Sequence, residues 1–484
     1  MTTEDTTGHD EPHHQTATAT MIASAAALGG FLFGYDTSVI NGTVDALKSE
    51  FGLGSVVVGF VVSSALLGCA VGAWFAGPLA DRLGRVRVML LASLLFVISA
   101  LGSALAFHPL DLTFWRVVGG LAIGAASVIA PAYIAEIAPA HLRGRLGSLQ
   151  QLAIVTGIFT ALVADYLIAR VSDGGASGEF PWGGTAWRWM FASAVVPAVV
   201  YGLIALTIPE SPRYLVKKRQ LGRARAVLAR LIPGDVDTRI GEISRTLKRD
   251  RPVHLSDLRG PRFGLLPIVW VGILLSVFQQ FVGINVIFYY SSSLWQAVGF
   301  SEDDAMLTSV ITSVTNIVTT LVAIALVDRI GRRRLLLAGA AGMTVTLATM
   351  AVAFATAPVV DGEPQLGPTA GPVALVAANL YVFSFGATWG PVVWVMLGEM
   401  FSNFIRASAL AVAASAQWIA NWLITTTFPE LAEVGLGLAY GLYTLAAAVA
   451  FVFVLRGVRE TKGRELEDMD DLAAAPAGRA ARSV

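Results

Sequence analysis

Charge is scarce in this sequence. Of 484 residues only 14% are Asp, Glu, Lys or Arg, while 55% are apolar and mean hydropathy is +0.66. A soluble domain carries about 25% charged residues, so soluble enzymes and soluble binding modules are excluded and a polytopic membrane protein is indicated. Cysteine is nearly absent. Cys69 stands alone inside an apolar stretch, which excludes an intrachain disulfide and argues against a thiolate metal centre. All six histidines fall outside the apolar stretches, so neither a histidine proton relay nor a metal or other cofactor is expected. The first 16 residues are acidic and lack the positive n-region of a signal peptide, so the first apolar stretch is expected to be retained. Lysine is scarce too, and the arginine-rich balance suits a bacterial cytoplasmic-membrane protein.

Crossing a bilayer takes roughly 20 apolar residues, and twelve stretches qualify: 18–43, 54–79, 86–107, 110–136, 145–170, 187–208, 264–296, 304–327, 334–357, 371–398, 404–428 and 436–456. Basic residues such as Arg87, Arg145, Arg213, Lys217 and Arg334 follow the even-numbered spans, whereas the opposite loops carry Lys48 and acids such as Asp111, Glu302 and Asp361. The positive-inside rule then puts both termini in the cytoplasm, and the basic loops call for no nucleic-acid partner. The chain divides into a tail (1–17), six spans (18–208), a cytoplasmic linker (209–262), six more spans (263–457) and a second tail (458–484). The linker is patterned for helices at 220–231 and 238–249 but holds no phosphate loop or catalytic cluster. It reads as a tether, and the chain is not expected to be an enzyme.

The two halves repeat each other. Asp81-Arg82-Leu83-Gly84-Arg85 returns as Asp328-Arg329-Ile330-Gly331-Arg332, and the pair Glu136 and Arg143 returns as Glu399 and Arg406, seven positions apart in both cases. These motifs, with Pro209-Glu210-Ser211-Pro212-Arg213 after span six and Glu460-Thr461-Lys462-Gly463-Arg464 after span twelve, resemble the sugar-porter branch of the major facilitator superfamily over nearly the whole chain. One departure is Arg459, where that branch usually has proline. The resemblance implies an all-α integral membrane fold of twelve helices in two six-helix bundles around a central site open to either side in turn. It further implies that Asp81, Arg82, Arg85, Glu136, Arg143, Glu210, Asp328, Arg329, Arg332, Glu399 and Arg406 form a cytoplasmic gate that latches the halves when the site faces outward. Arginines just past helix C-termini suit the negative dipole end there.

Amides inside the spans are few and clustered: Gln151, Gln279, Gln280, Asn285, Asn316, Gln417 and Asn421. Each offers donors and an acceptor, as a sugar hydroxyl does, although helix–helix contact is the plainer use of any single amide. Gln417 and Asn421 share a helix face. Gln279 and Asn285 lie six positions apart and diverge by about 240° on a regular helix, so span seven is expected to break, with Gly283 the natural place. Trp394 and Trp418 supply flat apolar faces for a pyranose ring, and Gly390-Pro391 lets span ten bend beside Trp394. The resemblance places sugar contacts on the Gln279–Asn285 motif and on Gln151, Asn316, Trp394 and Gln417. Ile158, on the face of Gln151, makes one wall apolar, which favours a glucose-like hexose. Tyr289, Tyr290 and Phe385 are candidate wall or gate residues.

Asp36 lies inside span one, where an unpaired carboxylate is expensive and functional by default. Arg116 in span four is its expected partner, brought close by the small residues Gly119 and Gly120. An acid at this position accompanies proton symport in the family. The expectation is a proton-coupled monosaccharide importer working as a monomer in the lipid bilayer. A facilitative sugar or polyol uniporter is the alternative, and a non-transporting nutrient sensor a remoter one. Asp165, near the end of span five, is expected to be solvated, and the Asn41-Gly42-Thr43 sequon to be incidental.

Overall fold

The structure is a computed structural model and describes residues 11–137, 143–231, 235–249, 258–261, 263–360, 363–401 and 405–461. Spans one to six are the helices Glu11–Ser38, Ser55–Leu83, Arg85–Ala104, Pro109–Ile137, Arg143–Val171 and the broken pair Ala186–Ser193 and Val195–Ala205. Span seven comes in three pieces, Pro267–Phe281, Ile284–Tyr289 and Ser291–Gln296. Spans eight to twelve are Glu302–Ile330, Arg332–Ala355, the interrupted Ala370–Met400, Arg406–Val434 and Leu436–Gly457. Between spans lie the linker helices Pro212–Lys217, Leu221–Leu231 and Val236–Arg249, and one two-stranded hairpin pairs Val359–Val360 with Glu363–Pro364.

Among the described residues, ten helical segments are long and apolar enough to cross a bilayer. The other two expected spans are the helices Glu11–Ser38 and Arg406–Val434, 28 and 29 residues long. Span one packs on spans four and five, and span eleven on spans two and seven.

Small residues set how closely helices meet. A Cβ at Gly120 would stand 1.9 Å from the Ala65 carbonyl oxygen, and one at Gly34 2.0 Å from that of Ile154, so spans two and four, and one and five, touch backbone to backbone. Span seven breaks at Gly283, which takes φ 83°, a left-handed conformation that glycine adopts without penalty. Span ten is interrupted by a π-helical segment, Phe385–Trp389, just before the Gly390-Pro391 expected to bend it.

Contacts between the halves concentrate where span two meets eleven and span five meets eight. Among the described residues, the hydrogen bonds joining the halves lie at the end away from the arginine motifs. Ser55 donates to Glu430 (2.8 Å) and Glu433 (3.1 Å), Ser63 pairs with Thr426 (2.6 Å), and Ser293 and Gln296 donate to Asp45. Glu302 accepts the Ala176 N–H at 2.8 Å. The far end is therefore closed, and the ion pairs Arg85–Glu136 and Arg332–Glu399 at the basic end each lie within one half.

Candidate functional site

Asp36 and Arg116 are both buried, and Arg116 Nη1 lies 3.2 Å from Asp36 Oδ2 and 3.1 Å from the Asp36 carbonyl oxygen. The guanidinium also lies 5.8 Å from the Phe191 ring centroid. Held twice by one residue and faced by a ring, the cation is fixed in the low-dielectric interior, where a lone charge would be costly.

Across the break in span seven the amides form a chain. Asn285 Nδ2 donates to Gln280 Oε1 at 2.6 Å, Gln280 Nε2 to Gln279 Oε1 at 3.4 Å, and Gln279 Nε2 to the carbonyls of Trp389 (3.0 Å) and Gly390 (3.1 Å). Those two carbonyls sit where the π-helical segment gives way to the last piece of span ten, so the two irregular segments are tied to each other. Asn421 accepts from Thr425 at 3.2 Å, while Gln417 keeps an enclosed Oε1 without a partner. Asn316 is buried, its Oδ1 next to Gly386 in the π segment. Gln151 is half-buried on span five. Trp394 is 40% exposed, and Trp418 packs on Phe33 of span one with centroids 5.8 Å apart, across the boundary between halves. Tyr290 donates its hydroxyl to the Thr425 carbonyl (3.0 Å), and Phe385 is buried in the π segment. Tyr289 is buried and interacts with both Asn421 and Thr37, the neighbour of Asp36. One phenol thus stands between the amides and the ion pair.

At the basic end the repeated motifs build the same object twice. Glu210 accepts the N–H groups of Arg85 (2.9 Å) and Val86 (3.3 Å), and Glu460 those of Arg332 (2.9 Å) and Arg333 (3.1 Å), so one carboxylate caps the start of span three and another that of span nine. Arg85 pairs with Glu136 at 2.9 Å and donates to the Ala80 carbonyl (3.2 Å). Arg332 pairs with Glu399 at 2.8 Å and donates to the Val327 carbonyl (3.1 Å). Ser211 donates to Glu136 and Thr461 to Glu399. Gly84 and Gly331 take φ 101° and 99°, and a Cβ at either would meet the capping carboxylate, at 2.3 and 2.8 Å. Asp81 adds ion pairs to Lys217 (2.8 Å) and Arg85 (3.3 Å) beside a cavity of ≈ 270 Å³. Tyr214 donates to the Arg82 carbonyl. Arg329 lies exposed at the matching corner. The side chains of Arg143, Asp328 and Arg406 fall outside the described residues.

Three features differ from the sequence reading or escaped it. Asp165 is buried rather than solvated, because the turn at 41–43 folds over it. The clasp made by Asn41 escaped the sequence: its Nδ2 donates to the Phe288 carbonyl (3.0 Å) and its Oδ1 accepts the Ser292 N–H (3.3 Å), holding span seven. Glu460, quoted only as part of a motif, stands where Glu210 stands in the other half. The 250-residue offset between them, close to the 247 between Arg85 and Arg332, was the signal that paired them.

Residues 22–473 match the family model described as Sugar (and other) transporter. The chain is 58% identical over 450 residues to a glucose transport protein of Synechocystis sp., covering 93% of this chain and 96% of that one. It is 38% identical to the D-xylose-proton symporter of Escherichia coli K12, covering 93% and 95%. Among solved structures, the inward-open and partially occluded inward-open forms of the xylose transporter from E. coli superpose with TM-scores of 0.78 and 0.80 at 35% identity, each over 93% of this chain and 99% and 100% of that one. With a family model and relatives matching nearly the whole chain, this chain belongs to the sugar transporter family and has the major facilitator fold.

Proposed function

We propose that this protein imports a monosaccharide, a hexose such as glucose or galactose, together with a proton. Transport proceeds by alternating access between the two halves of a single chain in the cell membrane, the basic end and both termini facing the cytoplasm. The observation that carries the reading is the adjacency of two unlike polar groups. Asp36, held by Arg116, is the carboxyl that takes up the proton, and the amides Gln279, Gln280, Asn285, Asn421 and Gln417 match hydroxyls. Tyr289 stands between them. Gln151, Asn316, Trp394 and Trp418 complete the sugar site. Protonation of Asp36 releases Arg116, a change that spans one and four transmit to the sugar site through Thr37 and Tyr289. The basic-end clusters form the gate on the cytoplasmic side. The names of the two relatives, a glucose transport protein and a xylose–proton symporter, support the substrate class and the coupling ion. A proton falling through 100 mV releases about 2.3 kcal/mol, which sustains a roughly fifty-fold sugar gradient at 1.4 kcal/mol per tenfold.

A second reading, facilitated diffusion, is favoured by the direct 3.2 Å contact of the Asp36–Arg116 pair, which suits a static tie between spans one and four. Uptake of labelled glucose, galactose, xylose and inositol into energised vesicles separates the two. Accumulation that collapses with a protonophore and in Asp36→Asn, with sugar exchange kept in the variant, supports symport. Equilibration indifferent to both treatments establishes the facilitator.

A further inference from the structure

Asp165 in span five takes no part in the sugar site, in the Asp36–Arg116 pair or in the basic-end clusters, yet it is 2% exposed. Its Oδ2 accepts one hydrogen bond, from the Gly42 N–H at 3.3 Å, and its Oδ1 is enclosed without a partner. A carboxylate has lone pairs for about four donors, and a buried charge left this poor in partners is strongly disfavoured. The titratable groups on the elements packed around it are already committed. Tyr35 of span one pairs its hydroxyl with Ser193 at 2.7 Å. Arg116 of span four holds Asp36, Arg188 of span six pairs with Glu50 at 3.0 Å, and Glu302 of span eight accepts the Ala176 N–H. Among the described residues no cation pairs with Asp165.

The opposite side of the same turn explains why this matters. Gly42 lies between Asn41, which clasps the Phe288 carbonyl and the Ser292 N–H of span seven, and Thr43. A Cβ at Gly42 would sit 2.8 Å from the Cβ of Asp165, so the turn is seated directly on the carboxyl. The turn therefore has Asp165 behind it in its own half and span seven in front in the other. Opening the far end must lift this turn off span seven and admit water to Asp165.

We propose that Asp165 is a second proton-binding site, filled while the far end is closed and emptied to that side when the turn leaves span seven. The proton comes from and returns to water on the far side as the carboxyl interconverts with the carboxylate, so this site gates access and adds no proton to the number transported. The inference rests on alternating access, not on Asp36 as the coupling group.

Infrared spectra of the purified protein in liposomes at neutral pH test it, since a buried protonated acid has a carbonyl stretch that a carboxylate lacks. The band is expected in the native protein, lost in Asp165→Asn and kept in Asp36→Asn. Absence of the band, or its survival in Asp165→Asn, overturns the proposal. Spin labels at S49C and V434C, on far-end positions of opposite halves, provide the second measurement. Raising the pH is expected to shift the native protein and Asp36→Asn toward longer distances, while Asp165→Asn, which keeps an acceptor for Gly42, stays short. An equal pH response with and without Asp165 also overturns it. A negative protonophore result with the Asp165 band present would sink the symport reading and leave this one standing.

Discussion

The two halves agree at one end and part company in the middle. At the basic end, Arg85, Glu136, Glu210 and Ser211 reappear as Arg332, Glu399, Glu460 and Thr461 with bond lengths within a few tenths of an ångström. At the centre, the residue 249 positions after Asp36 is Asn285, and the residue 263 positions after Arg116 is Asn379. Asp36 bonds Arg116, Asn285 bonds Gln280, and Asn379 accepts from Thr315 at 2.9 Å. One half has kept a charge pair where the other has amides. The repeated part serves a task each half performs alike, ending and capping a helix pair. On the proposed function the divergent part divides two tasks that a single site could not combine, since a proton-carrying carboxyl needs a charge partner and hydroxyl recognition needs neutral donors and acceptors.

The largest effect is expected from making the charged half resemble the neutral one by a single step. Arg116→Leu leaves Asp36 buried without its cation, and removing one member of a buried pair costs about 3–5 kcal/mol. Thermal unfolding in liposomes should show a large loss, with most of it recovered in Asp36→Asn/Arg116→Leu. If Arg116→Leu unfolds like the native protein, the pair is not what holds the charge of this half.

The neutral half is tested next. Gln279→Leu removes the donor that ties span seven to the Trp389 and Gly390 carbonyls, so sugar affinity should fall at least tenfold, about 1.4 kcal/mol, while the protonophore sensitivity of the remaining uptake persists. Loss of coupling with unchanged affinity would mean that the tasks are not divided by half.

Which parts of this arrangement were legible in the sequence follows from how local each signal is. The break at Gly283 could be read because amides six residues apart cannot share a helical face, and the basic-end clusters because their motifs are contiguous and doubled. Asp36 and Arg116 could be paired because charges inside apolar runs are so few. Asn41 and Asp165 could not. Each lies at a span end, where solvent is the reasonable expectation, and only the packing of the 41–43 turn between span five and span seven makes one a clasp and the other buried.

The equivalence at the basic end has a smaller test. Glu210→Gln and Glu460→Gln each weaken a pair of charge-assisted bonds to backbone N–H groups, so each should cost about 1.5–3 kcal/mol, and by the symmetry of the bonds the two losses should match. A large loss in one and none in the other would show that likeness of geometry hides unlike loads.

The smallest effect is expected at Asp81, although it belongs to the same cluster. Its side chain is 47% exposed and its partner Lys217 is 44% exposed, whereas Glu136, one ion pair further in, is 14% exposed. Exposed pairs contribute about 0–1 kcal/mol and are screened within about 10 Å at ordinary salt. Asp81→Asn should therefore shift unfolding by less than about 1 kcal/mol, and raising the salt concentration should erase the difference. A loss at Asp81 as large as that at Glu210, or one indifferent to salt, would mean the cluster acts as a single cooperative unit. The expected result divides it into a buried clasp, repeated in both halves, and an exposed fringe that contributes little to stability.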